Sequence, residues 1–135
     1  MMTDMTMDNF LAVLSSSEPV PGGGGACGYV AAVGMSLGNM VLALTTGKKK
    51  YAEYQEEIEE LIVKATDLTK RLAECMDKDA ESFKPLAAAY GLPKDTEEQI
   101  KEREAIMAKA LVTASEAPLS MICLLYTSDA ADDRI

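Results

Sequence analysis

The chain has 135 residues, a net charge of −9, and 48% hydrophobic against only 5% aromatic residues. This is the composition of one globular domain, and its acidity argues against a nucleic-acid partner, whose phosphates it would repel. Histidine is absent, which excludes Ser-His-Asp and Cys-His triads, His-ligated zinc and imidazole proton shuttles.

In chain order, a short helix is predicted over about 6–14, with Phe10, Val13 and Leu14 on one face. Ser15 to Ser17, with Pro19 and Pro21, end it. Gly22-Gly23-Gly24-Gly25 then opens a charge-free run from Ala26 to Thr46, and Gly47-Lys48-Lys49-Lys50 closes that run. In the third segment Tyr51, Tyr54, Ile58, Leu61, Ala65, Leu68, Leu72, Cys75, Phe83 and Leu86 step largely by three or four, which is a helical stripe. Glu56, Glu57, Glu59, Glu60, Lys64 and Lys70 form the opposite, solvated face. Pro85 is a place for a kink, and Gly91-Leu92-Pro93 a stop. Asp95-Thr96-Glu97-Glu98 resembles a capping box for a fourth helix, with Ile100, Met107, Leu111 and Ala114 inward. No alternating strand pattern occurs. The expectation is an all-α helical bundle built around long antiparallel helices.

The domain is expected over 1–123. The last twelve residues, from Leu124 to Ile135, depart from the pattern and read as a foreign tail over 124–135. Cys27, Cys75 and Cys123 stand far apart with no C-x-x-C pair. They make neither a disulfide framework nor a zinc site, so no metal is expected, and a reducing cytoplasmic setting suits them. Residues 1–10 carry no basic stretch leading into an apolar one, so no secretion signal is expected.

Four features could carry chemistry. The glycine run leads into a helix, whose first N–H groups can receive an anion or a carbonyl; alternatively it is only a tight turn. Gly28, Ala31, Met35, Gly38 and Leu42 share a face, and Gly34-Met35-Ser36-Leu37-Gly38 is a G-x-x-x-G. Such a face buries main chain against a neighbouring helix or a dimer mate. In a bilayer it would drive helix association, and Ala26 to Thr46 is long enough to span, with Ser36, Asn39 and the closing threonines against that reading. Asp79 falls on the apolar stripe of the third segment, whereas Asp77 and Glu81 fall off it and read as exposed. A carboxylate on a buried stripe either transfers protons or ties helices through a cation or a backbone N–H. Finally, Lys48, Lys49 and Lys50 could receive a ligand carboxylate or simply start a solvated helix.

Pro21-Gly22-Gly23-Gly24, the charge-free helix and Leu44-Thr45-Thr46-Gly47-Lys48-Lys49-Lys50-Tyr51 together resemble the cyclodeaminase/cyclohydrolase family. Asp77-Lys78-Asp79-Ala80-Glu81-Ser82-Phe83 is similar to its Asp-x-Asp-Ala-x-x-Phe stretch, and Gly91-Leu92-Pro93-Lys94-Asp95-Thr96 to its Leu-Pro-Lys-x-Thr turn. The family includes the cyclodeaminase domain of formiminotransferase-cyclodeaminase and stand-alone methenyltetrahydrofolate cyclohydrolases. The resemblance implies a cytoplasmic all-helical homodimer acting on one-carbon tetrahydrofolates, with no cofactor beyond the folate substrate and no nucleic-acid or membrane partner. It places the catalytic carboxylate on Asp79 and substrate contacts on Gly22, Gly23, Gly24, Lys48, Lys49 and Lys50. Hydrolysis of 5,10-methenyltetrahydrofolate to 10-formyltetrahydrofolate is the expected reaction. Ammonia-releasing cyclodeamination of formiminotetrahydrofolate is the alternative within the family, and a non-enzymatic helical dimerisation module or fragment is the alternative outside it. Two departures stand out: Gly25 replaces the family's serine, and the family domain continues into further helices with a Ser-Asp segment.

Overall fold

The computed structural model describes residues 1–127; the rest of the expected foreign tail, 128–135, lies outside the described residues. Four α-helices follow in order: α1 (Met7–Leu14), α2 (Gly23–Thr45), α3 (Gln55–Tyr90) and α4 (Glu97–Thr127). Two 3-10 turns, Met2–Asp4 and Lys49–Tyr54, precede α1 and α3. The described residues contain no strand, so the fold is all-α.

Local chemistry sets the helix ends. Thr6 caps α1 by accepting the Asn9 N–H. Thr96 caps α4 by accepting the Gln99 N–H, and the Gln99 side chain accepts the Asp95 and Thr96 N–H groups in return. The capping box is therefore Thr96 with Gln99, one residue later than the Asp95–Glu98 frame. Helix α2 begins at Gly23, so the glycines are its cap and first turn rather than a loop before it. It ends at Thr45, and two residues on is Gly47, where φ is +74° and a side chain would be strained. Helix α3 runs through Pro85 to Tyr90.

The long helix α3 is the centre, with α2 and α4 packed antiparallel on it. Gly24 meets Asp79, Gly28 meets Met76 and Leu72, and Asn39 donates to Thr66 Oγ1 at 3.2 Å, so numbers rise on α2 as they fall on α3. Ala32, Leu68, Leu72, Cys75, Met121 and Leu124 form the core cluster, with Ala31 and Met35 packed against it. The small face of α2 thus closes on the neighbouring helix α3. Gly28 faces both α3 and α4: a Cβ there would stand 3.2 Å from Met121 Sδ and from Met76 Cγ.

Two features differ from the sequence pattern, the phase of α4 and the place where the packed chain ends. On α4 the inward residues are Met107, Ala110, Ala114, Ala117, Met121 and Leu124, spaced three and four; Ile100 and Leu111 are exposed. The alanines of this helix allow two phases, and packing on α3 selects the one with Ala110. Leu124, expected to begin a foreign tail, is only 7% exposed, and α4 continues to Thr127. Core packing therefore extends past Cys123. On α2 the outward face carries Val30, Val33, Leu37, Met40, Val41 and Leu44, all exposed.

Candidate functional site

The antiparallel pairing of α2 and α3 brings the glycine turn onto Asp79. Gly22 caps α2 without a side chain to accept the first N–H groups. The first bond of the i to i−4 ladder runs from Ala26 N–H to Gly22, so the amides of Gly23, Gly24 and Gly25 have no partner inside the helix. Asp79 supplies what the cap lacks, since its carboxylate hydrogen-bonds the Gly25 N–H. It lies so close over Gly24 that a Cβ there would overlap all three carboxylate atoms. Glycine at 24 is thus a condition for the contact.

Burial pushes the Asp79 carboxyl above its ordinary range of 3.8, and the Gly25 hydrogen bond pulls the other way. The carboxylate opens into a cleft of about 460 Å³ between α2, α3 and α4. Gly22, Gly23 and Gly24 form one wall, Phe83 and Leu86 of α3 a second, and Leu111, Ser115 and Pro118 of α4 a third. Among the described residues no Lys or Arg lines this cleft. A carboxylate with a helix N-terminus behind it and no cation beside it can exchange a proton and attract a positive charge brought to its open side.

Of the residues singled out in the sequence, Asp79, Gly22, Gly23 and Gly24 come together. Lys48, Lys49 and Lys50 do not join them. They are exposed beyond the other end of α2, about 33 Å of helix axis from Gly23, and Lys50 Nζ stands over the Tyr51 ring. Asp77, expected to be exposed, is half-buried and bonded to Met2 and Thr3. The α4 wall was missed because Ser115 and Pro118 carry no signal until α4 is docked. Gly25, noted only as a departure, is the residue whose N–H meets the carboxylate. Burial raises the pKa of the Cys75 thiol, which keeps it protonated and inert in the core. Among the described residues no cluster of three or more His, Cys, Asp or Glu side chains could hold a metal. By length and composition α2 and α4 are both apolar enough to cross a membrane.

The formiminotransferase-cyclodeaminase family profile matches residues 6–128. A methenyltetrahydrofolate cyclohydrolase of Methylorubrum extorquens is 42% identical over 115 residues, 85% of this chain and 55% of that protein. A formimidoyltransferase-cyclodeaminase of Dictyostelium discoideum is 33% identical over 126 residues, 93% of this chain and 22% of that protein. The crystal structure of formiminotetrahydrofolate cyclodeaminase from Thermotoga maritima superposes with a TM-score of 0.76 at 25% identity, covering 93% of this chain and 58% of that one. The chain thus spans little more than half the length of the cyclohydrolase and of the solved cyclodeaminase. Sequence and fold agree across nearly all of its described length, and on both grounds the chain belongs to the formiminotransferase-cyclodeaminase family.

Proposed function

We propose that the chain carries the reacting end of a tetrahydrofolate enzyme that hydrolyses 5,10-methenyltetrahydrofolate to 10-formyltetrahydrofolate. Asp79 is the catalytic carboxylate, and the Gly22–Gly24 turn contacts the substrate. The observation that carries this reading is the Asp79 carboxylate seated on Gly24 in a cleft lined by no cation among the described residues. The substrate's bridging carbon lies between two nitrogens and bears the positive charge of an amidinium, which such a carboxylate attracts. Water adds to that carbon and passes one proton to Asp79. Asp79 returns the proton to N5 as the carbon–N5 bond breaks. The remaining hydroxyl proton leaves to solvent, and the formyl group stays on N10. One carboxyl group closes the proton count, which suits a chain without histidine.

The 42% identity to a protein named as a cyclohydrolase supports the hydrolytic direction. The solved cyclodeaminase supports a second reading on the same site, in which N10 attacks the formimino carbon on N5 and ammonia leaves. Phe83, Leu86 and Leu111 offer a flat ring an apolar surface. We further assign a cytoplasmic homodimer with no cofactor besides the folate. The outward stripe of Val30, Val33, Leu37, Met40 and Leu44, each at least 44% exposed, supports the dimer. Lys48 to Lys50 would serve as ligands for the substrate's glutamate carboxylates only across a dimer whose α2 helices run antiparallel.

Loss of methenyltetrahydrofolate absorbance, followed with the chain present, tests the reading. Loss faster than in buffer supports hydrolysis. Formation of the same absorbance from 5-formiminotetrahydrofolate, with no hydrolysis, replaces it with cyclodeamination. Neither reaction, and no binding of either folate, would mark a non-enzymatic helical module.

A further inference from the structure

The mechanism leaves one carboxylate of the Asp-x-Asp pair unused. Both oxygens of Asp77 are engaged: Oδ1 accepts the Met2 backbone N–H, and Oδ2 accepts the Thr3 hydroxyl at 3.0 Å. These bonds fasten the Met2–Asp4 turn to α3. The turn held there lies behind the start of α2. Met2 Sδ is 3.6 Å from the place a Gly25 Cβ would occupy, and Pro21 Cβ is 3.4 Å from it. Met2, Val20, Pro21 and Asp77 also share the lining of one cavity, distinct from the Asp79 cleft. Gly25, itself buried, thus has Met2 near it and its N–H on Asp79. Residues 74 and 75 positions apart close this arrangement, and Met2 and Thr3 precede the stretch that matches the family profile.

We propose that Asp77 is a positioning residue: by latching Met2 and Thr3 it holds the N-terminal turn beside Gly25 and so keeps the Gly25 N–H on Asp79. This rests on the reading of Asp79 as the catalytic carboxylate. The Gly25 amide is a clean reporter, because as a first-turn N–H it has no acceptor within α2 and Asp79 is its partner.

Amide hydrogen exchange on the 135-residue chain, with and without Asp77→Ala, tests the latch. Exchange at Gly25 should quicken about tenfold or more, while core amides such as Leu72 keep their rates. Asp77→Asn should restore slow exchange, since its amide oxygen can accept from Met2 and its NH2 can donate to the Thr3 hydroxyl. With methenyltetrahydrofolate, Asp77→Ala should lower kcat about tenfold at unchanged KM. Unchanged Gly25 exchange in Asp77→Ala overturns the proposal, as does an Asp77→Asn chain that exchanges as fast as Asp77→Ala. If Asp77→Ala unfolds, Thr3→Val takes its place. It removes only the surface bond, and a rise of about threefold at Gly25 supports the latch while no change overturns it. Exchange is read without substrate, so an inactive chain would sink the folate assignment and leave the latch result standing.

Discussion

The two ends of α2 are made from the same small residues and are used differently. At its start, Gly24 and Gly28 are glycines because other atoms occupy the place of a side chain: the Asp79 carboxylate at one, Met76, Met121 and the Leu72 carbonyl at the other. Further along, Gly34 would meet nothing within 4 Å, and Gly38 only the terminal methyl of Met35 at 3.3 Å. The first end is where three helices close around a carboxylate; the second is an exposed apolar surface leading to three lysines. A run of small residues therefore marks a close approach only where a partner helix arrives.

That contrast predicts unequal effects. The largest belongs to Asp79→Asn, which should lower turnover at least about 10²-fold while leaving KM largely unchanged. The amide oxygen still accepts the Gly25 N–H, so the helix stays capped and only proton exchange and charge are lost. A steady-state assay that finds Asp79→Asn within several-fold of the parent would leave the carboxylate as a tie between helices.

Next come the close-packed glycines. Gly28→Ala and Gly24→Ala should each destabilise the fold by about 1–3 kcal/mol, the first by overpacking three helices and the second by displacing the carboxylate. Gly34→Ala and Gly38→Ala should be neutral or stabilising by about 0.5–1 kcal/mol, because alanine is the better helix former, space is free at Gly34, and at Gly38 only the flexible end of Met35 has to swing aside. Thermal melts of the four variants check the order; a loss at Gly34 equal to that at Gly28 would erase the distinction between the two ends.

The smallest effect is one of pH. The folded-state pKa of Asp79 is raised above 3.8, so the folded chain carries a penalty that is full above that raised value and absent below 3.8. Asp79→Asn should therefore be slightly more stable than the parent at pH 7, with the advantage gone at about pH 3. Denaturant unfolding at both pH values measures it, and an advantage that grows on acidification would reverse the sign of the burial effect.

Much of this was legible from local pattern. The stripe from Ile58 to Leu86 placed Asp79 on the inner face of α3, because helical periodicity is a local property. The glycine run announced a helix start, and its position opposite Asp79 followed once α2 and α3 paired antiparallel. Other parts were hidden for stated reasons. Asp77 looked exposed because its partners, Met2 and Thr3, lie at the far end of the chain. The phase of α4 was ambiguous because alanines at 105, 108, 110, 114 and 117 fit more than one face. The resemblance gave the lysines and the glycines one substrate, yet the 23-residue helix α2 holds the two groups at opposite ends.

The most direct test of the Gly24–Asp79 junction is an NMR titration of the Asp79 carboxyl carbon in the folded chain. A midpoint above 3.8 that moves when methenyltetrahydrofolate is added is the expected result. A midpoint at or below 3.8, unmoved by that folate, would mean a solvated or permanently paired carboxylate, and would contradict a proton-transfer role for Asp79.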